Sequence, residues 1–501
     1  MRKIAAIVLL FALLLSGCAP EEHALVPTGD SLLEEDPTSA ATEPGELPTL
    51  SMAYYPDRAL NPYTATDYTN RALFSLIYQG LFTVSRDYEA KPILCESYSM
   101  SADMQTWTFN IASATFSDGT AVTANDVSAS LTASKGSPWY GSRLQHVKTI
   151  SVSGNAVVLK TDTPCENLPI LLDIPVVKAG EVAAARPLGS GPYRLDGNQL
   201  RRQAGWWCDA TLPFSEQTIM LTPATSSVQI RNDFENTGIN LVCADPGAKE
   251  YVDFRNDYEL WDCENGLFMY LVCHKDSPVF SNDKVRTALT HAIDRDSFVA
   301  TYYHGLARSA TLPASPQSPY YHKKLASNYG FDKEKFTQAV TDAKLENNEV
   351  TLLVSTGDVN RRQIAMAIAD TLTQCGLSVT VNAVSASDMT KQLKSGKYDL
   401  YLGQTRLSAN MDLSGFFGTK GSMNYGKLAD AATYQMCLES LANAGNYYAL
   451  HKMVMENAWL CPVLFQSYAV YGQRGIGTEL NPARDAIFYY DLGKTLADIK
   501  K

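Results

Sequence analysis

The chain has 501 residues, of which 45% are apolar and 19% charged. That is length enough for two or three domains around a large buried core, and it excludes a low-complexity or wholly disordered protein. A formal net charge of −11 without clustered Lys or Arg excludes a nucleic-acid surface, and ten cysteines without a Cys-x-x-Cys spacing argue against a disulfide scaffold.

The chain opens with Arg2 and Lys3 and then an apolar run, residues 4–15, too short to span a bilayer. Leu15-Ser16-Gly17-Cys18 has the form of a bacterial lipobox. Residues 1–17 are therefore expected to be a lipoprotein signal peptide, with Cys18 as the lipidated residue. Two acyl chains on its thiol give stable anchoring where one is marginal. Residues 18–48 contain eight acids, five prolines and no Lys or Arg. With no apolar periodicity, they read as a disordered acidic tether. Nine scattered cysteines remain beyond Cys18, expected as buried free thiols. Cys263 and Cys273 are the nearest pair that could still bridge.

In chain order, residues 49–54 alternate as a strand, and residues 71–79 read as a short helix stopped at Gly80. Trp107, Phe109 and Ile111 form one face of a strand. Asp118-Gly119 makes a tight turn, and Thr123 with Asp126 makes a capping box. Residues 147–159 and 167–177 continue strand and loop patterns. In the segment 187–195, Pro192 removes a backbone donor and no Lys-Ser/Thr pair follows, so a tight glycine crossing is expected and not a phosphate loop. Trp206-Trp207 reads as a packing pair. Residues 219–221 and 239–242 are short strands.

Further on, Ser281 or Asn282 caps a helix whose apolar face is Val285, Ala288, Leu289, Ala292 and Ile293. Asp294 caps a second helix that stops at Gly305. Then follow helix 332–345, strand 349–355, helix 360–375, strand 378–383, helix 386–394 and strand 398–403. This alternation predicts a parallel sheet with right-handed crossovers. Residues 447–459 are helical, and residues 461–465 form a strand. In such sheets ligands sit beyond the carboxyl ends of the strands, which points to Ser355 and its neighbours, to Gln404 and Arg406, and to the loops 408–412 and 421–425.

Three segments share a resemblance. They are Thr108-Phe109-Asn110-Ile111 with the run from Thr115-Phe116-Ser117-Asp118-Gly119 to Asp126-Val127; Leu188-Gly189-Ser190-Gly191-Pro192-Tyr193; and Val285-Arg286-Thr287-Ala288-Leu289 with Ala292-Ile293-Asp294-Arg295. Together they resemble the family 5 extracellular solute-binding proteins, the oligopeptide- and dipeptide-binding lipoproteins of ABC importers. The resemblance implies an α/β, periplasmic-binding-protein-like fold: two lobes, an extra α+β domain and a hinge-closing cleft. Lobe I would take 49–82, 186–268 and 471–501, the extra domain 83–185, and lobe III 269–470. It implies a monomeric protein on the outer face of the cell membrane. Such a protein captures peptides or other small solutes for the permease subunits and needs no cofactor or metal. A non-peptide solute (an oligosaccharide or a metal chelate) and a non-transport sensor on the same fold are the alternatives.

The resemblance breaks where relatives hold a peptide's charged ends. Aligned by Asp412, the position of the amine-binding aspartate is Ala409, and that of the carboxylate-binding arginine is near Ser355. The candidate ligand-binding residues are Tyr54, Ser355, Gln404, Arg406, Asn410, Asp412, Asn424 and Tyr425. No catalytic residue is expected. His-Glu-x-x-His and Gly-x-Ser-x-Gly are absent, and Ser281 with Lys284 matches Ser-x-x-Lys only at a helix start.

Overall fold

Two long antiparallel strands, Tyr258–Cys273 and Leu460–Gln473, form the axis of the computed structural model, which describes residues 50–208, 218–255, 257–474 and 484. At 16 and 14 residues they far exceed the usual strand of about 5–6, because each runs through both halves of one sheet. Among the described residues this sheet has 11 strands. Leu400–Arg406, Glu349–Ser355 and Ser378–Val384 lie in order on one side of the long pair. Leu241–Ala244, Ser51–Tyr54, Thr218–Pro223, Gln199–Arg202 and Tyr193–Asp196 lie on the other. The pairing of the long strands slips between Glu264 and Phe268, where Gly266 adopts a φ of +69°. A bulge of this kind bends and twists the ladder, and glycine takes the left-handed conformation without a Cβ penalty. The two halves of the sheet therefore turn relative to one another at Gly266.

On the Leu400–Arg406 side the alternation read from sequence holds. Glu349–Ser355 pairs in parallel with both Ser378–Val384 and Leu400–Arg406, and the helices Lys333–Ala343 and Val359–Gln374 pack their apolar faces on the sheet. The helix expected over Val285–Ile293 is shorter. It is α-helical over Asp283–Ala288, then a 3-10 turn over Leu289–Ala292, with Ile293 extended. Arg295 explains the break. Its buried guanidinium draws the chain here by donating to the carbonyls of Thr290, Ile293, Ala310 and Pro462. Asn282 caps the first helix and Asp294 the second. The second ends with His304 in the left-handed conformation and the Gly305 N–H on the Val299 carbonyl.

The helix expected over 71–79 is instead two short helices, Tyr68–Arg71 and Phe74–Ile77. Tyr78 turns extended so that Gln79 can bridge to Val176. A Cβ on Gly189 or Gly191 would collide with the Ile77 carbonyl, so the glycine segment is a close backbone crossing. A separate four-stranded sheet, Cys95–Met100, Thr106–Ile111, Ala156–Thr161 and Val147–Ser153, buries Trp107, Phe109 and Ile111. The Thr123–Asp126 capping box is formed. Trp206 and Trp207 donate to the Ser190 carbonyl and Gln79 Oε1. Cys263 and Cys273 lie on one extended strand, roughly 30 Å apart at about 3.3 Å per residue, so they do not bridge each other. The expected signal peptide, tether and Cys18 lie outside the described residues, as does most of the expected return segment after Arg474.

Candidate functional site

The strand Leu400–Arg406 delivers its last residue to the crossing of the two long strands. Arg406 donates from Nη1 to the Asn265 carbonyl and from Nη2 to the Tyr468 hydroxyl at 2.9 Å. Its guanidinium lies 4.5 Å from the centre of the Trp139 ring, over which Arg71 also sits, at 3.7 Å. Tyr468 stacks on Tyr68 with centroids 3.4 Å apart. Strand ends, two arginines and four aromatic or amide groups thus meet at the bulge. Beside them, burial raises the pKa of Asp245, and the Gly247 N–H and then the charge of Arg406 only partly offset it. Asp358, raised in the same way by burial, caps the helix Val359–Gln374 through the Arg361 N–H. Asn360 in that helix donates to the Pro246 carbonyl at 3.3 Å, joining the two halves of the sheet from this side. Ser355 ends the neighbouring strand, with its Oγ accepting from the Gly357 N–H. Gln404 lies half-buried opposite Met269.

A second cluster forms around Asp412. Its buried carboxylate accepts from the Ser414 N–H at 2.8 Å and from Gln145 Nε2, and His146 Nε2 lies 3.0 Å away. His146 Nδ1 faces Asp162 at 2.9 Å. Burial would raise the Asp412 pKa, but the His146 hydrogen bond and charge outweigh it and hold it below its usual value. Asn410 accepts from Ser408 Oγ on its side chain and from the Tyr447 hydroxyl on its carbonyl. A narrow cavity runs between the two chain segments, lined by Arg143, Gln145, His146, Ser408, Asn410 and Asp412.

The remaining candidates stand apart. Tyr54 donates to Asn198 Oδ1 in the other half of the sheet. Asn424 fixes its own loop by accepting from the Ala429 N–H at 2.9 Å. Tyr425 borders a group of buried rings, Tyr270, Tyr398 and Tyr401. The eight candidates therefore do not converge. Gln404, Arg406 and Ser355 stand on adjacent strand ends, while Asn410 and Asp412 belong to the His146 cluster. Sequence reasoning missed Trp139, Arg71, Tyr68, Tyr468 and His146. Only the neighbouring aromatics Trp139-Tyr140 carried any signal, as large rings in a connecting segment. Among the described residues, no group of three or more His, Cys, Asp or Glu could hold a metal ion, and no helix is long and apolar enough to cross a membrane.

Residues 89–426 match the model of the bacterial extracellular solute-binding proteins, family 5. The glutathione-binding protein GsiB of Escherichia coli K12 is 25% identical over 390 residues, which span 73% of this chain and 74% of that protein. The fold is shared with the ABC transporter substrate-binding protein CtaP of Listeria monocytogenes, at a TM-score of 0.72, 16% identity and coverage of 90% and 99% of the two chains. It is also shared with NikA of Brucella suis in complex with Fe(III)-EDTA, at 0.70, 18% identity, and 88% and 99% coverage. The motifs, the α/β fold and a family match over two thirds of the chain agree, and this chain belongs to the family 5 bacterial extracellular solute-binding proteins.

Proposed function

We propose that this chain is the lipid-anchored, extracytoplasmic solute receptor of an ABC importer, and that its solute is a peptide. The observation that carries this reading is the family match, which spans the bulged crossing and the strand that ends at Arg406. The GsiB relative binds glutathione by name, and glutathione is itself a peptide. We assign lobe I to the half of the sheet with Ser51–Tyr54 and lobe III to the half with Leu400–Arg406, with the hinge at Gly266. The four-stranded sheet belongs to the extra domain. Solute would bind at the strand ends that carry Ser355, Gln404 and Arg406, where Arg406 meets Trp139 and Tyr468, with Asn410 and Asp412 at its edge; Tyr54, Asn424 and Tyr425 lie away from it. Closure would bury the solute and present the closed form to the permease.

One observation favours a non-peptide solute. Ala409, at the position of the amine-binding aspartate, is buried and apolar, and burying an unpaired ammonium group there is costly. Mass spectrometry of small molecules released from the purified, denatured protein separates the two readings. Peptides are expected; a released sugar or metal chelate in their place sinks the peptide assignment. Replacing Arg406 with Gln should weaken binding of the released solute by about 1.5–3 kcal/mol, the worth of a hydrogen bond to a charged group. Unchanged affinity in calorimetry removes Arg406 from the site.

A further inference from the structure

Near Asp412, two stretches of chain far apart in sequence are tied together. His146 and Gln145 meet Asp412, and both also approach Ser414 Oγ, at 3.1 and 3.4 Å. Glu166 accepts from the Ala444 N–H at 2.6 Å and donates its own N–H to the Leu441 carbonyl. Any rotation about Gly266 that carries the Leu400–Arg406 half away from residues 139–166 has to break these bonds. Within the set, His146 is the group whose bonding depends on a proton. Nδ1 and Nε2 each face a carboxylate oxygen, at 2.9 and 3.0 Å. A neutral imidazole carries a single N–H, so one of those contacts would set a lone pair against a carboxylate. Only the imidazolium donates to both carboxylates at once; a neutral ring could keep Asp162 and accept from Ser414 Oγ, but would lose its bond to Asp412.

We propose that His146 and Asp412 form a protonation-dependent latch, closed while His146 is an imidazolium and released when it loses its proton. The latch goes beyond the solute-receptor reading and uses only its hinge.

The surroundings agree. Burial would lower the His146 pKa, but the hydrogen bonds and charges of Asp412 and then Asp162 outweigh it and bring it up to about 9. Lys148 pairs with Asp162 at 3.1 Å from the solvent side. Arg143, which lines the same cavity, is paired with Asp173. Behind Asp412 stand Cys165, Cys437 and Tyr447, all with pKa values raised by burial and so neutral here. For a base whose pKa is higher in the closed form, closure is fully supported below the open-form value and fades as pH rises through about 9. On opening, His146 keeps Asp162 and loses Asp412, and each pKa unit so lost lowers the closed-to-open ratio about tenfold at high pH.

The test uses solute-free mature protein, so failure to identify a solute leaves it unaffected. Histidine-selective NMR should place the His146 titration above pH 8. Small-angle scattering should show the radius of gyration rising between pH 7.5 and 10.5. His146→Gln and Asp412→Asn, checked for folding by circular dichroism, should each abolish that rise. A His146 titration below pH 7, a constant radius of gyration in the wild type, or an unchanged pH response in either folded variant would overturn the latch.

Discussion

Arg295 is a charged residue with a purely structural task. Its guanidinium is 3% exposed and bonds backbone carbonyls of a 3-10 turn, of the loop at Ala310 and of the long strand at Pro462. Replacing it with Ala would leave buried carbonyls without donors and should cost about 3–5 kcal/mol. Arg295→Lys, which keeps three donors, should recover part of this. Urea unfolding of the two variants checks it, and a loss below about 1 kcal/mol for Ala would contradict the assignment. His451 poses the opposite case. It is wholly buried, and neither ring nitrogen has a hydrogen-bond partner among the described residues. Burial, and then the charge of His322, lowers its pKa to about 3. The unfolded chain takes up a proton below about 6.5 that the folded chain refuses, so this contribution is complete above that pH and is lost as pH falls towards 3. His451→Leu should therefore lose less stability than wild type between pH 7 and 5, by about 2 kcal/mol. Equal losses of unfolding free energy for the two proteins between pH 7 and 5, from denaturant titrations, would count against this reading.

At the scale of elements, the backbone crossing at 187–195 makes a sharp claim. A Cβ on Gly191 would collide with the Leu76 and Ile77 carbonyls, whereas one on Gly180 meets nothing within 4 Å. Gly191→Ala should destabilise by about 1–3 kcal/mol, while Gly180→Ala should be near neutral. Comparable thermal unfolding of the two would mean that the crossing is looser than described. The same scale shows why parts of the fold were legible in the sequence. Leu352, Leu353, Val354 and Ser355 form a continuous buried run, the signature of a parallel strand covered on both faces, and the intervening helices keep their period. The strand Tyr258–Cys273 was not legible, because Asp262, Glu264 and Asn265 interrupt its apolar pattern. The two acids are satisfied by residues distant in sequence, Arg86 and Arg308 on Asp262, and Tyr88 and Ser315 on Glu264, while Asn265 Oδ1 accepts from the nearby Leu267 N–H. The candidate site shared that fate. Arg406 could be picked out as a strand-end residue, but its place against Trp139 depends on segments some 270 residues apart being folded together.

For the whole molecule, one sheet serves both halves, so a hinge at Gly266, as proposed, would join solute capture to the motion of the two halves. The lipid anchor proposed at Cys18 has its own check at this scale. Cys18→Ser should abolish metabolic labelling by palmitate and move the protein from the membrane to the soluble fraction, and continued membrane retention without label would refute it. The central claim is that this chain reversibly binds one solute in a cleft that closes over it. Titration calorimetry of the solute-depleted protein with the compound recovered from it tests that most directly. The account predicts saturable binding at one site with a negative heat-capacity change, the mark of apolar surface buried on closure. Absence of saturable heat across temperatures, with the protein folded, would contradict it.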